Sequence, residues 1–182
     1  MPKIIEEPRE MILAQAKSIV QQEGMDQLTI RRVAAATGIS IGTVYNYFPT
    51  KRELIVQLME DYWNTYLYLI DQINSDYENF FEKLPEMYRQ LQHFVLAFKE
   101  GWLKNMTGKE GDGGLRYRKV FYDKVNKKLE AILLEAHQKG EINLTIAAPI
   151  AANFIVQNFF MMALMNQFSY DDFEQVVRKL LQ

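Results

Sequence analysis

Residues 37–51 read TGISIGTVYNYFPTK, with two glycines, a row of hydroxyl and phenol side chains, and no carboxylate. Glycine enters left-handed backbone space at little cost, so Thr37-Gly38-Ile39 predicts a tight turn. Ser40 is placed to cap a helix from Ile41 to about Phe48, its hydroxyl accepting a bond from an amide that the first turn leaves unpaired. Pro49 stops that helix from simply continuing, and Thr50 with Glu53 makes the T-x-x-E capping box that opens the next one. Upstream, Thr29 can cap a short helix from Ile30 to about Ala36. Three caps in close succession therefore predict a helix, a turn and a second helix, followed at once by a third.

Outward from this stretch the helical spacing continues in both directions. Ile12, Ala16, Ile19 and Val20 lie on one face of a helix from Pro8 to Glu23, with proline suited to its first turn and Gly24 to its stop. Downstream, Leu54, Ile55, Leu58, Met59, Tyr62, Trp63, Tyr66, Leu67, Ile70 and Ile73 predict a rod of roughly 35 Å, long enough to belong to two modules. Tyr77–Lys83 and Pro85 to about Met106 read as two further helices, divided at the proline. Residues 105–114, NMTGKEGDGG, hold four glycines in ten and read as a loop. Leu115–Lys139 and Ile146–Phe168 are helices, and Ser169 with Asp172 starts the last, with Arg178 and Lys179 near its negative end. No run alternates with period two. The fold class is all-α, divided into residues 1–52 and 53–182.

Composition narrows the function. Hydrophobic residues make up 48% of the chain and charged ones 24%, ordinary globular proportions. The absence of cysteine excludes disulfides and thiolate metal sites. The start, MPKIIEEPRE, has acids where a signal peptide needs a basic end, so a cytoplasmic location is expected. Ile146–Met165 approaches the length of a bilayer core, but Pro149, Asn153, Gln157 and Asn158 interrupt it; a buried helix is the better reading, and no membrane partner is expected. His93 and His137 lack a ligand spacing for zinc. Gly108-Lys109 is followed by Glu110 rather than serine or threonine, which removes a phosphate loop, and no G-x-S-x-G is present. No cofactor, metal or enzymatic activity is expected.

From Gln27 to Arg52 the chain carries Arg31, Arg32, Lys51 and Arg52 and no acid, although its net charge is -2. Charge alone equally suits an ordinary solvated face. The placement of polar groups is more informative. Val44 and Phe48, four apart, can face the module's own core with Ile39. Gly42, Thr43, Tyr45, Asn46 and Tyr47 fill the other faces, where hydroxyls and an amide suit phosphate oxygens and base edges and Gly42 lets backbone come close. Ile41 offers apolar contact, for instance to a thymine methyl. A carboxylate here would meet phosphates, which gives its absence a direct cause.

In LTIRRVAAATGISIGTVYNYFPTKRELI the cap, turn, tyrosines and lysine fall in an order that resembles the TetR family of bacterial transcriptional regulators, over roughly residues 9–60. The resemblance implies a three-helix helix-turn-helix DNA-binding domain joined through a long fourth helix to a helical ligand-binding and dimerisation domain. It implies that Arg31 touches phosphate or the groove edge, that Thr43 and Tyr45 contact the recognition site, that Tyr47 holds the backbone, that Lys51 binds a phosphate, and that Ser40 caps and also touches DNA. It further implies an effector pocket and a homodimer through the last two helices. Two half-sites on a pseudo-palindromic double-stranded operator would multiply the affinity of so short a helix, and a small molecule that shifts the long helix is expected to release it.

Candidate walls for that effector are Trp63, Tyr66, Phe94, Phe98, Trp102, Tyr117, Phe121, Asn153, Gln157 and Phe160. The same aromatics suit a plain packed core, and the Asn153 and Gln157 amides suit either a guest or a bond across the dimer. Few fixed charges on these walls favour a hydrophobic or aromatic effector. The rival expectation is a helical small-molecule binding or carrier protein that does not engage DNA.

Overall fold

Helix α1, Pro8–Glu23, buries Ile12, Ala16, Ile19 and Val20, the stripe the spacing predicts, and it packs on α2 and α4. A single 3-10 turn, Met25–Gln27, leads into α2, Ile30–Thr37, and then α3, Ile41–Tyr47. The computed structural model describes the backbone of residues 7–107, 113–165 and 168–182, with side chains at 7–96, 119–165 and 168–182. Among these, every element is helical. The remainder are α4 (Lys51–Asp76), α5 (Phe80–Thr107), α6 (Gly113–Gln138), α7 (Ala148–Met165) and α8 (Tyr170–Leu180).

The caps sit where the sequence puts them. Thr29 accepts from the Arg32 amide at 3.1 Å, Ser40 from Thr43 at 3.0 Å, Thr50 from Glu53 at 3.1 Å and Ser169 from Asp172 at 3.1 Å. Each satisfies one of the amides a helix start leaves without a partner. Gly38 takes φ 70°, the left-handed conformation the turn between α2 and α3 requires.

The expected division at Pro85 is corrected: Tyr77–Lys83 and Pro85–Met106 are not two helices, because α5 runs through the proline. Proline removes the N–H that would reach the Phe81 carbonyl, a defect of about 3 kcal/mol in a helix interior. Burial outweighs it. Leu84, Met87 and Leu91 are all buried on the inner face, each worth ~1.5–3 kcal/mol. The first turn is also anchored from outside, since Glu141 accepts from the Phe80 amide at 2.8 Å and Asn79 from the Phe81 amide at 2.8 Å. Helix α6 begins at Gly113 rather than Leu115, and α7 is shorter than Ile146–Phe168. Part of the expected glycine loop, residues 108–112, lies outside the described residues.

Helix α4 ties the two ends of the molecule together. Leu54 and Leu58 are buried near its start, and Leu67, Ile70 and Ile73 towards its end. Lys17 of α1 pairs with Asp61 at 3.2 Å. At the far end Lys128 of α6 pairs with Asp71, Asn74 donates to Glu135 at 3.3 Å, and the buried Lys83 of α5 donates to Asn74 at 2.8 Å. Hydrogen bonds from Lys139 and then Asn74 hold the Glu135 carboxyl below its ordinary value. Helix α7 packs against α5 and α6, with α8 beside it. It is long and apolar enough to cross a bilayer, and 56% of it is buried inside the molecule.

Candidate nucleic-acid interface and aromatic core

The turn at Gly38 sets α3 against α2 so that Val44 and Phe48 go inward with Ile39, all three buried. The opposite side of α3 is open. Ile41, Tyr45 and Tyr47 are 43%, 47% and 42% exposed, an unusual amount of large apolar surface for one short helix. Gly42 and Asn46 are exposed beside them. A side chain at Gly42 would meet nothing closer than Ser40 Oγ at 3.8 Å, so the fold itself does not require glycine there. The Ser40 and Thr43 hydroxyls pair at 2.8 Å, which orients both at the start of α3.

The cations divide into two groups. Arg31 and Lys51 are exposed, with no hydrogen bond or ion pair among the described residues. Lys51 is the first residue of α4, where the helix dipole disfavours a positive charge unless an anion joins it. Arg32 is turned back into the protein: its guanidinium donates to Gln27 Oε1 at 2.9 Å and pairs with Glu23. Sequence reasoning missed Arg9. It lines a cleft of about 570 Å³ with Tyr47, Phe48, Thr50 and Arg52, its guanidinium 5.8 Å from the Phe48 ring centre. The available signal was a cation in the first turn of α1, again at the end the dipole disfavours.

The second set of expected residues behaves differently. Trp63, Tyr66, Phe94, Phe121 and Phe160 converge on one cluster, all at most 5% exposed. Phe121 is its hub, stacked on Trp63 at 4.5 Å and edge-on to Phe160 at 6.1 Å. Tyr66 donates its hydroxyl to the Met87 carbonyl at 3.1 Å, and burial holds its phenol well above the usual range. Neighbouring Tyr62 is pushed up to about 12, chiefly by burial, which a hydrogen bond from Gln21 partly offsets.

The rings fill one another's space, and clefts open on either side of them. One, about 680 Å³, runs between α1, α4 and α5 and is lined by Lys17, Tyr62, Tyr66, His93 and Phe94 among others. The other, about 180 Å³, lies between α4 and α6 at Trp63, Leu67, Val120 and Phe121. Asn153 and Gln157 are not brought to the cluster; they bond to each other at 2.8 Å on the exposed side of α7. The side chains of Phe98, Trp102 and Tyr117 lie outside the described residues. Among the described residues no three His, Cys, Asp or Glu side chains gather as a metal would need.

A capped pair of short helices with an outward polar and aromatic face, set on a long helix, defines the class: a helix-turn-helix protein. Residues 12–58 match the family described as bacterial regulatory proteins, tetR family, so the resemblance falls on this N-terminal helix-turn-helix segment. It is 28% identical over 93 residues to an HTH-type transcriptional regulator of Staphylococcus aureus, covering 51% of this chain and 50% of that one. The chain thus spans about half the length of the curated relatives it matches. The fold likeness is wider. A transcriptional regulator from Cytophaga hutchinsonii superposes with TM-score 0.74 at 16% identity, over 96% of this chain and 93% of the other. FadR from Bacillus subtilis, solved in complex with stearoyl-CoA, does so with TM-score 0.65 at 19% identity, over 94% and 96%.

Proposed function

We propose that the chain is a dimeric transcriptional repressor that binds a pseudo-palindromic operator through α3 and releases it when a small molecule occupies the helical core. The observation that carries this reading is the outer face of α3. It exposes Ile41, Tyr45 and Tyr47 around a glycine the fold does not need, in a segment without acids. Such a face is costly in water and suits close contact with a polyanion whose grooves offer both phosphates and base edges. Tyr45, Asn46 and Thr43 read bases or adjacent phosphates, Ile41 meets a methyl group, and Ser40, Tyr47, Arg31 and Lys51 hold the backbone. Arg9 joins this last group. Arg32 supports the module through Glu23 rather than meeting DNA itself.

Residues 1–52 serve as the DNA-binding part and 53–182 as the effector and dimer part. Support for a dimer comes from α7, where Ile150, Phe154, Met161 and Met165 are 62%, 37%, 49% and 47% exposed along one side. Support for an effector comes from the clefts flanking the aromatic cluster and from the ligand held by the FadR neighbour. Selection of tight-binding duplexes from a random pool tests the reading. Recovery of a two-fold symmetric sequence is expected. Failure to enrich any duplex at low ionic strength would reject it in favour of a carrier that does not engage DNA.

A further inference from the structure

We propose that the cleft between α4 and α6 admits a flat one-ring molecule bearing an oxygen acceptor, and that Trp63 selects this molecule through its indole N–H. The inference deepens the effector reading and rests on it. Trp63 is only 5% exposed. Its ring is well provided for, stacked on Phe121 at 4.5 Å and 24° and set edge-on to Phe94 at 6.1 Å and 73°. Its nitrogen is not. Nε1 is buried and has no hydrogen-bond partner among the described residues. An indole N–H donates only, so no rotation of a hydrogen can relieve it, and buried donors in folded proteins are nearly always paired.

Trp63 also lines the smaller cleft, with Leu67, Val120 and Phe121 as apolar walls and Glu60, Asn64 and Lys124 among the residues that complete it. At about 180 Å³ it is slightly larger than the roughly 150 Å³ apolar cavity that accepts benzene, which leaves room for a ring and one small substituent. The nitrogen is covered in this form, so an acceptor reaches it only when the indole turns toward the cleft. That turn breaks the stack on Phe121. Trp63 stands on the same helix that begins with Lys51, and its movement is therefore felt by the element that carries a phosphate-facing cation. A guest without an acceptor gains nothing from the turn. Selection and signal share one hydrogen bond.

The test uses the full chain and two probes of the same shape, acetophenone and its hydrocarbon isostere α-methylstyrene, titrated by calorimetry. Acetophenone is expected to bind about tenfold more tightly, the difference a single neutral hydrogen bond makes. Replacing Trp63 with 3-benzothienylalanine, which keeps the ring shape and removes the N–H, should abolish that preference. Equal binding of the two probes, no binding of either at millimolar concentration, or a preference that survives the sulfur isostere overturns the proposal. If the isostere variant does not fold, the comparison of probes in the natural chain decides alone. A chain that enriches a duplex but treats the probes alike loses this inference and keeps the regulator; one that discriminates the probes but enriches no duplex keeps the inference and loses the regulator.

Discussion

At Gly42 the demands of folding and of recognition separate. Alanine there meets only Ser40 Oγ, at 3.8 Å, and the backbone is not left-handed, so Gly42→Ala should leave the fold intact and raise stability by up to about 1 kcal/mol. The added methyl group stands where a DNA backbone would approach, and duplex affinity should fall. Thermal melting beside a DNA titration reads both quantities; unchanged affinity would remove Gly42 from the interface. The two adjacent arginines make a similar contrast. Arg31 is exposed and unengaged among the described residues, so Arg31→Ala should leave melting unchanged and reduce the salt slope of binding by about one unit for each phosphate that its guanidinium neutralises. Arg32 is bound to Glu23 and Gln27. Arg32→Ala should instead lower stability by about 0.2–1 kcal/mol, the range for an exposed ion pair, and keep the salt slope.

At the level of the helices, what the sequence revealed depended on how local the cause was. Caps are local: Thr29, Ser40, Thr50 and Ser169 each bond an amide three residues on, and all four were legible. At Pro85 the local signal misleads, because its cost is offset by burial of Leu84 and Leu91 against helices far along the chain. Pro85→Ala should therefore stabilise the protein by on the order of 1–2 kcal/mol, read from a denaturant midpoint, by restoring the bond to the Phe81 carbonyl. The pairing of Arg32 with Glu23 joins two elements and left no trace in spacing. Helical periodicity likewise shows that Trp63, Phe94 and Phe121 point inward, yet it cannot distinguish rings that fill a core from rings that line a cavity. The anchors at the end of α4 add a pH effect. Glu135 titrates below the ordinary carboxylate value, so its contribution is present above that value and is lost as pH falls through the lowered one. Glu135→Gln should flatten the acid limb of a stability profile in that window, modestly, because the side chain is 44% exposed.

Across the whole molecule, the positive face is small and the chain as a whole is acidic, with net charge -2. One copy of α3, seven residues long, offers little surface for binding against a background that repels phosphate. Two copies fixed at a set spacing make the second binding event intramolecular, and such linkage raises avidity by about 10²–10⁴ with no further interaction needed. The outer side of α7 is where that linkage would form, since Ile150, Phe154, Met161 and Met165 expose apolar surface there. Placing a charge in the middle of this side tests the idea without touching the core. Met161→Glu should convert a dimer to a monomer in sedimentation, because an unpaired carboxylate buried between two chains is strongly disfavoured. The circular dichroism spectrum should not change, as Met161 is 49% exposed within its own chain. Affinity for the symmetric duplex should drop by at least about tenfold, whereas affinity for an isolated half-site should stay the same. A variant that remains dimeric, or one that becomes monomeric yet holds the full operator undiminished, would show that α7 does not couple the two recognition helices.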